Sequence, residues 1–406
     1  MTSSLPRPRR SLAAAGSLAA IALLAVGCAS GGSPAAPDDA SSDASAADVA
    51  AGERLAVSID GQVLVLDAAS LEVVDQFDSE PFTRLNPVGD GRNVLVTTSE
   101  GFQVLDTATP ELTDTVFAAE AAGHVVRHGG NTVLYSDGWG ETTILPTDAL
   151  LDSEGALPEV RQYEAEEPHH GVSIVLEDGT LLTTVGDESS RSGAVALEPH
   201  DDHYHDLASS NECPGIHGEG TAADEAVVFG CEDGALLYHH GEFEKLDAPD
   251  EYGRMGNAYV SETSPLVVGD YQDDPDSEGY LLDAVTIIDT AQHSSEVVSL
   301  DGVEYVYSGV VRGPDDLAYI LGSDGSIHVL DPATGELVDE HPVIDAWEGP
   351  ADWQDPHPSL ETDGSVAYVS DPANDRVISV DLATGEILAE SEALPGTPNE
   401  MALNLG

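Results

Sequence analysis

His124, His170, His217 and His357 recur at about the same place in successive β-type repeats. Each sits near the start of a segment that soon reaches a turn: GHVVRHGGNT, HHGVSIVLEDG, IHGEGTAADE and DPHPSLETDG. In a closed array of repeats these positions converge, and convergent neutral imidazoles suit a borderline metal such as Zn2+. His169 adjoins His170 but has the opposite side-chain parity, so it is a weaker candidate. Glu219 and Asp355 are the nearest carboxylates in sequence and could complete the sphere or orient an imidazole. Metal binding would need neutral rings, so it should weaken as pH falls through the histidine range near 6.5. A second cluster, His200, His203, His205 and Asp206 in EPHDDHYHDLASSN, reads as a mobile loop able to capture or pass on an ion. His239, His240 and His293 read as ordinary turn residues.

The elements that must position these side chains are short β-rich runs. LAVSIDGQVLVLD, LAYILGSDGSIHVLDPATGELV and VAYVSDPANDRVISVDLATGEIL are variants of one pattern. Each has a strand, an Asp-Gly or Asn/Asp turn, a second strand ending in Asp, and a third strand. Four strands at a period of about 40–50 residues, with no amphipathic helix between them, predict an all-β propeller. Units start near Arg54, Phe82, His124, His169, Pro214, Arg254, Glu304 and Asp355, which gives eight blades, with seven left open by irregular insertions. The first unit lacks its leading strand, and Asn399–Asn404 is the spare strand expected to complete it. The candidate positions Arg84, His124, His217, Ser308 and His357 all lie about eight residues before the following strand, and His170 about ten, with the same parity.

Arg7, Arg9 and Arg10 precede an apolar run from Leu12 to Val26 that is too short to span a bilayer, so residues 1–27 read as a signal peptide. Cys28 after Gly27 resembles a lipobox cysteine, although Ala25 replaces the usual leucine. Residues 28–53 read as a lipidated cysteine followed by an acidic tether too poor in large apolar side chains to fold. Residues 54–406 are then the propeller, held by its lipid on the outer face of the cytoplasmic membrane. In that oxidising compartment Cys213 and Cys231 are expected to pair, with a pair of thiolate metal ligands as the alternative.

A net charge of −63 excludes nucleic acid as a partner. The dispersed carboxylates are read as conferring solubility, with concentration of divalent cations near the surface as the alternative. No nucleophile elbow, phosphate loop or HExxH helix is present, so no catalysis is expected.

GHVVRHGG, EPHHGVSIVLEDGTLL, HDDHYHD, CPGIHGEGTA with FGCEDG, and DPHPSL together resemble the bacterial zinc metallochaperones of the AztD type. The resemblance covers nearly all of residues 54–406. It implies an exported, monomeric β-propeller that binds zinc at channel histidines, helped by a flexible acidic histidine segment. It also implies delivery of that zinc to the solute-binding protein of a zinc ABC importer. The lipid anchor departs from a freely diffusing carrier and confines membrane contact to one residue. Two other readings stand beside this one. One is a ligand-binding or scaffold lipoprotein with structural histidines. The other is a propeller enzyme of the lactonase or quinoprotein kind, whose sites favour Glu, Asn and Asp around calcium where this chain offers histidines.

Overall fold

Alternation of apolar residues along a strand gives it two sticky faces, and here each face feeds a different core. In Gln62–Asp67, Val63 and Val65 pack with Leu85, Val94 and Val96 of the next sheet. Leu64 and Leu66 of the same strand pack instead with Tyr368 and Val377, near the other end of the chain. Repeated around the molecule, this scheme yields seven apolar clusters that together join every pair of neighbouring sheets. A strand buried on both faces reads as a nearly continuous apolar run, which is why LAVSI and VLVLD lack clean polar alternation. Outer strands have one neighbour only, and Val73–Asp78 is almost wholly exposed.

The computed structural model describes residues 52–404 except 154, 201, 202, 278 and 279. The signal-peptide and Cys28 readings, and nearly all of the tether, lie outside the described residues. Eight antiparallel sheets form a ring, seven of four strands and one with a short fifth, so the eight-bladed propeller expected from the repeats is what the chain forms. Six of the eight unit starts read from the sequence fall just ahead of a blade's inner strand; His124 falls inside that of blade 3, and Arg54 starts the second strand of blade 1. Blade 1 consists of Arg54–Ile59, Gln62–Asp67 and Val73–Asp78, with Met401–Leu403 as its innermost strand. The spare C-terminal strand therefore closes the ring, pairing Leu55 with Leu403 and Val57 with Met401. Asn404 locks the join: its side-chain oxygen accepts from the Arg54 amide at 2.8 Å, and its own amide donates to the Arg54 carbonyl at 3.0 Å. No helix among the described residues is long and apolar enough to cross a membrane.

The terminal Asp of the third strand has a local purpose. The carboxylates of Asp67, Asp106, Asp289 and Asp331 each accept a hydrogen bond from the backbone amide two residues on. These Asx-turns start the bend to the outer strand; Gly335 finishes the one after Asp331 at φ of 69°, and Gly385 finishes the related turn after Asp381 at φ of 70°, a region that favours glycine.

Candidate metal centre

Blades 3, 4 and 5 carry the site. Their inner strands are Ala122–His128, Ser173–Val175 and His217–Ala222, and they present His124, His170 and His217 at one end of the channel. One nitrogen from each ring lies within 4.8 Å of the others, and all three pairs of ring centroids are 5.1 Å apart. The Nε2 atoms of His170 and His217 are 3.1 Å apart. Zn–N bonds of 2.0–2.1 Å place two nitrogens of a tetrahedral site about 3.3 Å apart, so this separation already fits an ion.

β-Bulges aim the rings. The ladder between the first two strands of blade 3 shifts between Ala122 and Val125, around His124, and that of blade 5 shifts between His217 and Glu219. A bulge swings a side chain out of the regular alternation. Gly218 makes the second one possible: its φ is 65°, and a Cβ there would meet the Gly256 carbonyl at 2.3 Å.

That same carbonyl accepts from Nδ1–H of His217 at 2.6 Å, which fixes the tautomer and leaves Nε2 with its lone pair. Gly256 is held in turn by buried Asp270, whose Oδ1 accepts from the amides of Gly256 and Asn257 at 2.5 and 2.9 Å. His170 is exposed, and its Nδ1 donates to Asp137 at 2.5 Å. A carboxylate behind an imidazole orients the ring and raises its basicity as a ligand. The buried Nδ1 of His124 has no hydrogen-bond partner among the described residues.

Burial, then the neighbouring His217 and His170, hold His124 well below the usual histidine range. Burial brings His217 down to about 4, although the Gly256 carbonyl works the other way. Both rings are therefore neutral at neutral pH, the state a metal requires. An orphaned ring nitrogen, two imidazoles beside it and two held tautomers fit a borderline ion such as zinc.

His357 stands apart from this group. Its Nδ1 donates to the Asp355 carbonyl at 2.7 Å, and its Nε2 accepts from the Ser308 hydroxyl at 2.8 Å. It belongs to blade 8, which an eight-membered ring places opposite blade 4. The equivalent register positions converge on the channel mouth, but one ion cannot span it, so the four expected histidines divide into three and one. His169 is buried with its ring on Tyr135, Thr184 and the Glu167 carbonyl. The side chain of Asp355 accepts from the Asp352 amide instead of orienting an imidazole. Glu219 lines the cavity beside the histidines, and burial pushes its carboxyl up to about 8. Asp137 is the orienting carboxylate that the sequence did not reveal.

His200, His203 and His205 do come together, with ring centroids 4.7–5.4 Å apart and the Nε2 atoms of His203 and His205 at 3.1 Å. Their setting differs from the expected mobile loop. They flank a hairpin in which Arg191–His200 pairs with His203–Ser210, and Asp206 lies opposite Leu197, outside the histidine group. Arg191 lines the cavity while His200 ends the same ten-residue strand. At about 3.3 Å per residue this hairpin tip is about 30 Å from the central histidines, at the other end of the blade. A third group, Asp224 with His239 and His240, lies at the corresponding end of blade 5. His239 is stacked on His240 at 3.7 Å and reaches His293 at 3.4 Å, so these turn histidines are clustered. Cys213 and Cys231 form a disulfide, which settles the choice between a disulfide and thiolate ligands.

An eight-bladed propeller with three imidazoles at its channel mouth is the class that fold and site define. The chain is similar over 292 residues to the zinc chaperone AztD of Citrobacter koseri, with 23% identity, covering 71% of this chain and 68% of the relative. Two solved structures of Citrobacter koseri AztD, one of them apo, match with TM-scores of 0.70 and 0.69 at 20% and 19% identity; both span 86% of this chain and 97% of theirs. The dihydro-heme d1 dehydrogenase NirN matches less well, with a TM-score of 0.58 at 14% identity, over 87% of this chain and 75% of its own. No family model matches. The resemblance to the AztD zinc chaperones, read first from the histidine motifs, thus holds over most of the chain.

Proposed function

We propose that this protein is an extracytoplasmic zinc metallochaperone that carries one zinc ion at His124, His170 and His217 and passes it to the solute-binding protein of a zinc ABC importer. The observation that carries this reading is the set of three imidazoles from three consecutive blades, with His217 and His170 held from behind by Gly256 and Asp137. Three protein ligands leave a tetrahedral ion one position facing the cavity, the open arrangement from which an ion can be handed on. A ligand of the acceptor can enter at that position before any imidazole leaves. His170, the exposed member, is the ring free to release first, while His124 and His217 keep hold from within.

The hairpin histidines 200, 203 and 205 and the Asp224 group are proposed as exterior, weaker zinc sites at the far end of the blades, where they collect ions without touching the cargo site. The disulfide suits an oxidising compartment. Export by the N-terminal segment and lipidation of Cys28 complete the proposal. The role is one of holding and handing over, with no bond made or broken in a substrate.

The direct test mixes zinc-loaded protein with a zinc-free solute-binding protein of such an importer and follows zinc by separating the two. Transfer should outpace release to a chelator of equal affinity, and removing the 200–206 hairpin tip should leave tight binding intact. A protein that purifies without stoichiometric zinc and takes none up would be the scaffold of the alternative reading.

A further inference from the structure

Basic side chains are scarce in this protein, 13 against 76 acidic ones, yet three arginines line one cavity. Arg84, Arg191 and Arg254 share a space of about 970 Å³ with His124, His170 and His217. Four cations elsewhere are neutralised, Arg54 by Asp67 at 2.8 Å, Arg92 by Asp106 at 2.6 Å, Lys245 by Asp233 at 2.6 Å and Arg376 by Asp371 at 2.9 Å, and Arg312 is held by three backbone carbonyls. Arg127 and Arg161 share with Arg191 and Arg254 the lack of an ion pair among the described residues, but they do not line the cavity. The half-buried Arg191 guanidinium makes no ion pair or hydrogen bond among the described residues. Arg254 has a 3.5 Å contact with the Gly215 carbonyl and lies within electrostatic reach of Asp270, with no ion pair among the described residues. Arg84 stands 3.6 Å from Glu400 and lies over the Trp353 ring.

We propose that this cavity is a site for a small oxyanion, a carboxylate or a tetrahedral anion, gripped by the guanidinium groups of Arg191 and Arg254. The planar fork of an arginine matches such oxygens two at a time. Burial lowers the Arg191 guanidinium and Arg254 lowers it further, while Glu232 and Asp137 work the other way, so the two cations of this cavity are near enough to feel each other. Gln272 and the second side-chain N–H of Asn257, whose first donates to Asp270, offer neutral hydrogen-bond donors in the same cavity. The same cations share their cavity with the three histidines. Their charge opposes a doubly charged ion there. An anion in the fork removes that opposition, so anion and zinc should strengthen each other's binding by equal factors.

This inference builds on the zinc reading of the site, but its first test does not. Zinc-free protein is titrated with sulfate and, separately, malonate by calorimetry at constant ionic strength set with sodium chloride. Saturable binding of at least one, at one per chain, is expected. Preference for sulfate marks a tetrahedral ligand, and preference for malonate a carboxylate. Arg191→Gln combined with Arg254→Gln should weaken binding at least about tenfold, the scale of lost hydrogen bonds to charged groups. Arg191→Lys, which keeps the charge and loses the fork, should fall between and covers the case in which the double variant does not fold. Arg161→Gln, an exposed control, should bind as the unaltered protein does. Binding of neither anion, or equal binding by the double variant, overturns the proposal whatever the zinc result. So does saturation by an aspartate-rich peptide alone, which would make the arginines a docking point for a protein. In a second arm, zinc affinity is measured by a competing dye with and without sulfate. A rise with sulfate that disappears in the double variant is expected, and no rise overturns the coupling.

Discussion

At the scale of single residues, the site depends on keeping imidazoles neutral and aimed. A histidine NMR titration of the zinc-free protein should find His217 unprotonated down to about pH 4, with His124 also below the free value. A midpoint near 6.5 for either would contradict the burial argument. The sign for stability follows: the unfolded chain takes up protons near 6.5 that these folded rings refuse, so stability falls as pH drops from 6.5 towards 4. The acid window for these two rings thus lies lower than histidine chemistry alone suggests. Asp137 is the second test at this scale. Asp137→Asn should cost about 10–100-fold in zinc affinity, the usual loss when a supporting carboxylate is removed, with the fold unchanged by circular dichroism. His124, His170 and His217 were legible in the sequence because repeat position carries information about the channel. Asp137 was not, since it lies in the turn after the second strand of blade 3 and meets His170 only across a blade seam. His357 shares the repeat position, but which positions share one ion depends on adjacency around the ring, and register alone does not encode that.

At the scale of elements, the bulges at the blade entries decide where the rings point. Gly218→Ala puts a methyl group against the Gly256 carbonyl, the group that holds His217. It should lower zinc affinity more than it lowers the melting temperature, and a variant with unchanged affinity would show that the bulge is not what aims the ring. The disulfide closes a stretch of 18 residues that includes His217. Its loss in Cys213→Ser with Cys231→Ser should cost about 3 kcal/mol in denaturant unfolding on the chain-entropy model. The strands themselves were readable from apolar runs and Asp-Gly turns. The bulges were not, because one extra residue in a ladder leaves no mark in composition. The histidine segment was misread for a related reason: HDDHYHD has the polarity of a loop, yet His203–Ser210 is strand because an outer strand needs to satisfy only one neighbour.

At the scale of the whole molecule, eight blades close through three residues at the C-terminus. Removing residues 399–406 exposes the inner edge of blade 1 and strips Met401 and Leu403 from the core. At about 1.5–3 kcal/mol per buried side chain, stability should fall by at least about 4 kcal/mol, measurable by denaturant unfolding. A variant that keeps its unfolding midpoint would contradict closure by this strand. The number of repeats and the spare strand made this architecture legible. The angular arrangement, which sets blade 8 across from blade 4 and the exterior histidines at the far end of blades 4 and 5, follows only once the ring is closed. The central claim, one ion held by three neighbouring blades, is tested most directly by counting zinc. The metal content of the unaltered protein, of His124→Ala with His217→Ala, and of His357→Ala is measured after dialysis against a weak chelator, which clears the exterior sites. One zinc per chain in the unaltered protein and in the His357 variant, and none in the double variant, is the predicted result. Retention by the double variant, or loss on changing His357 alone, would contradict the account.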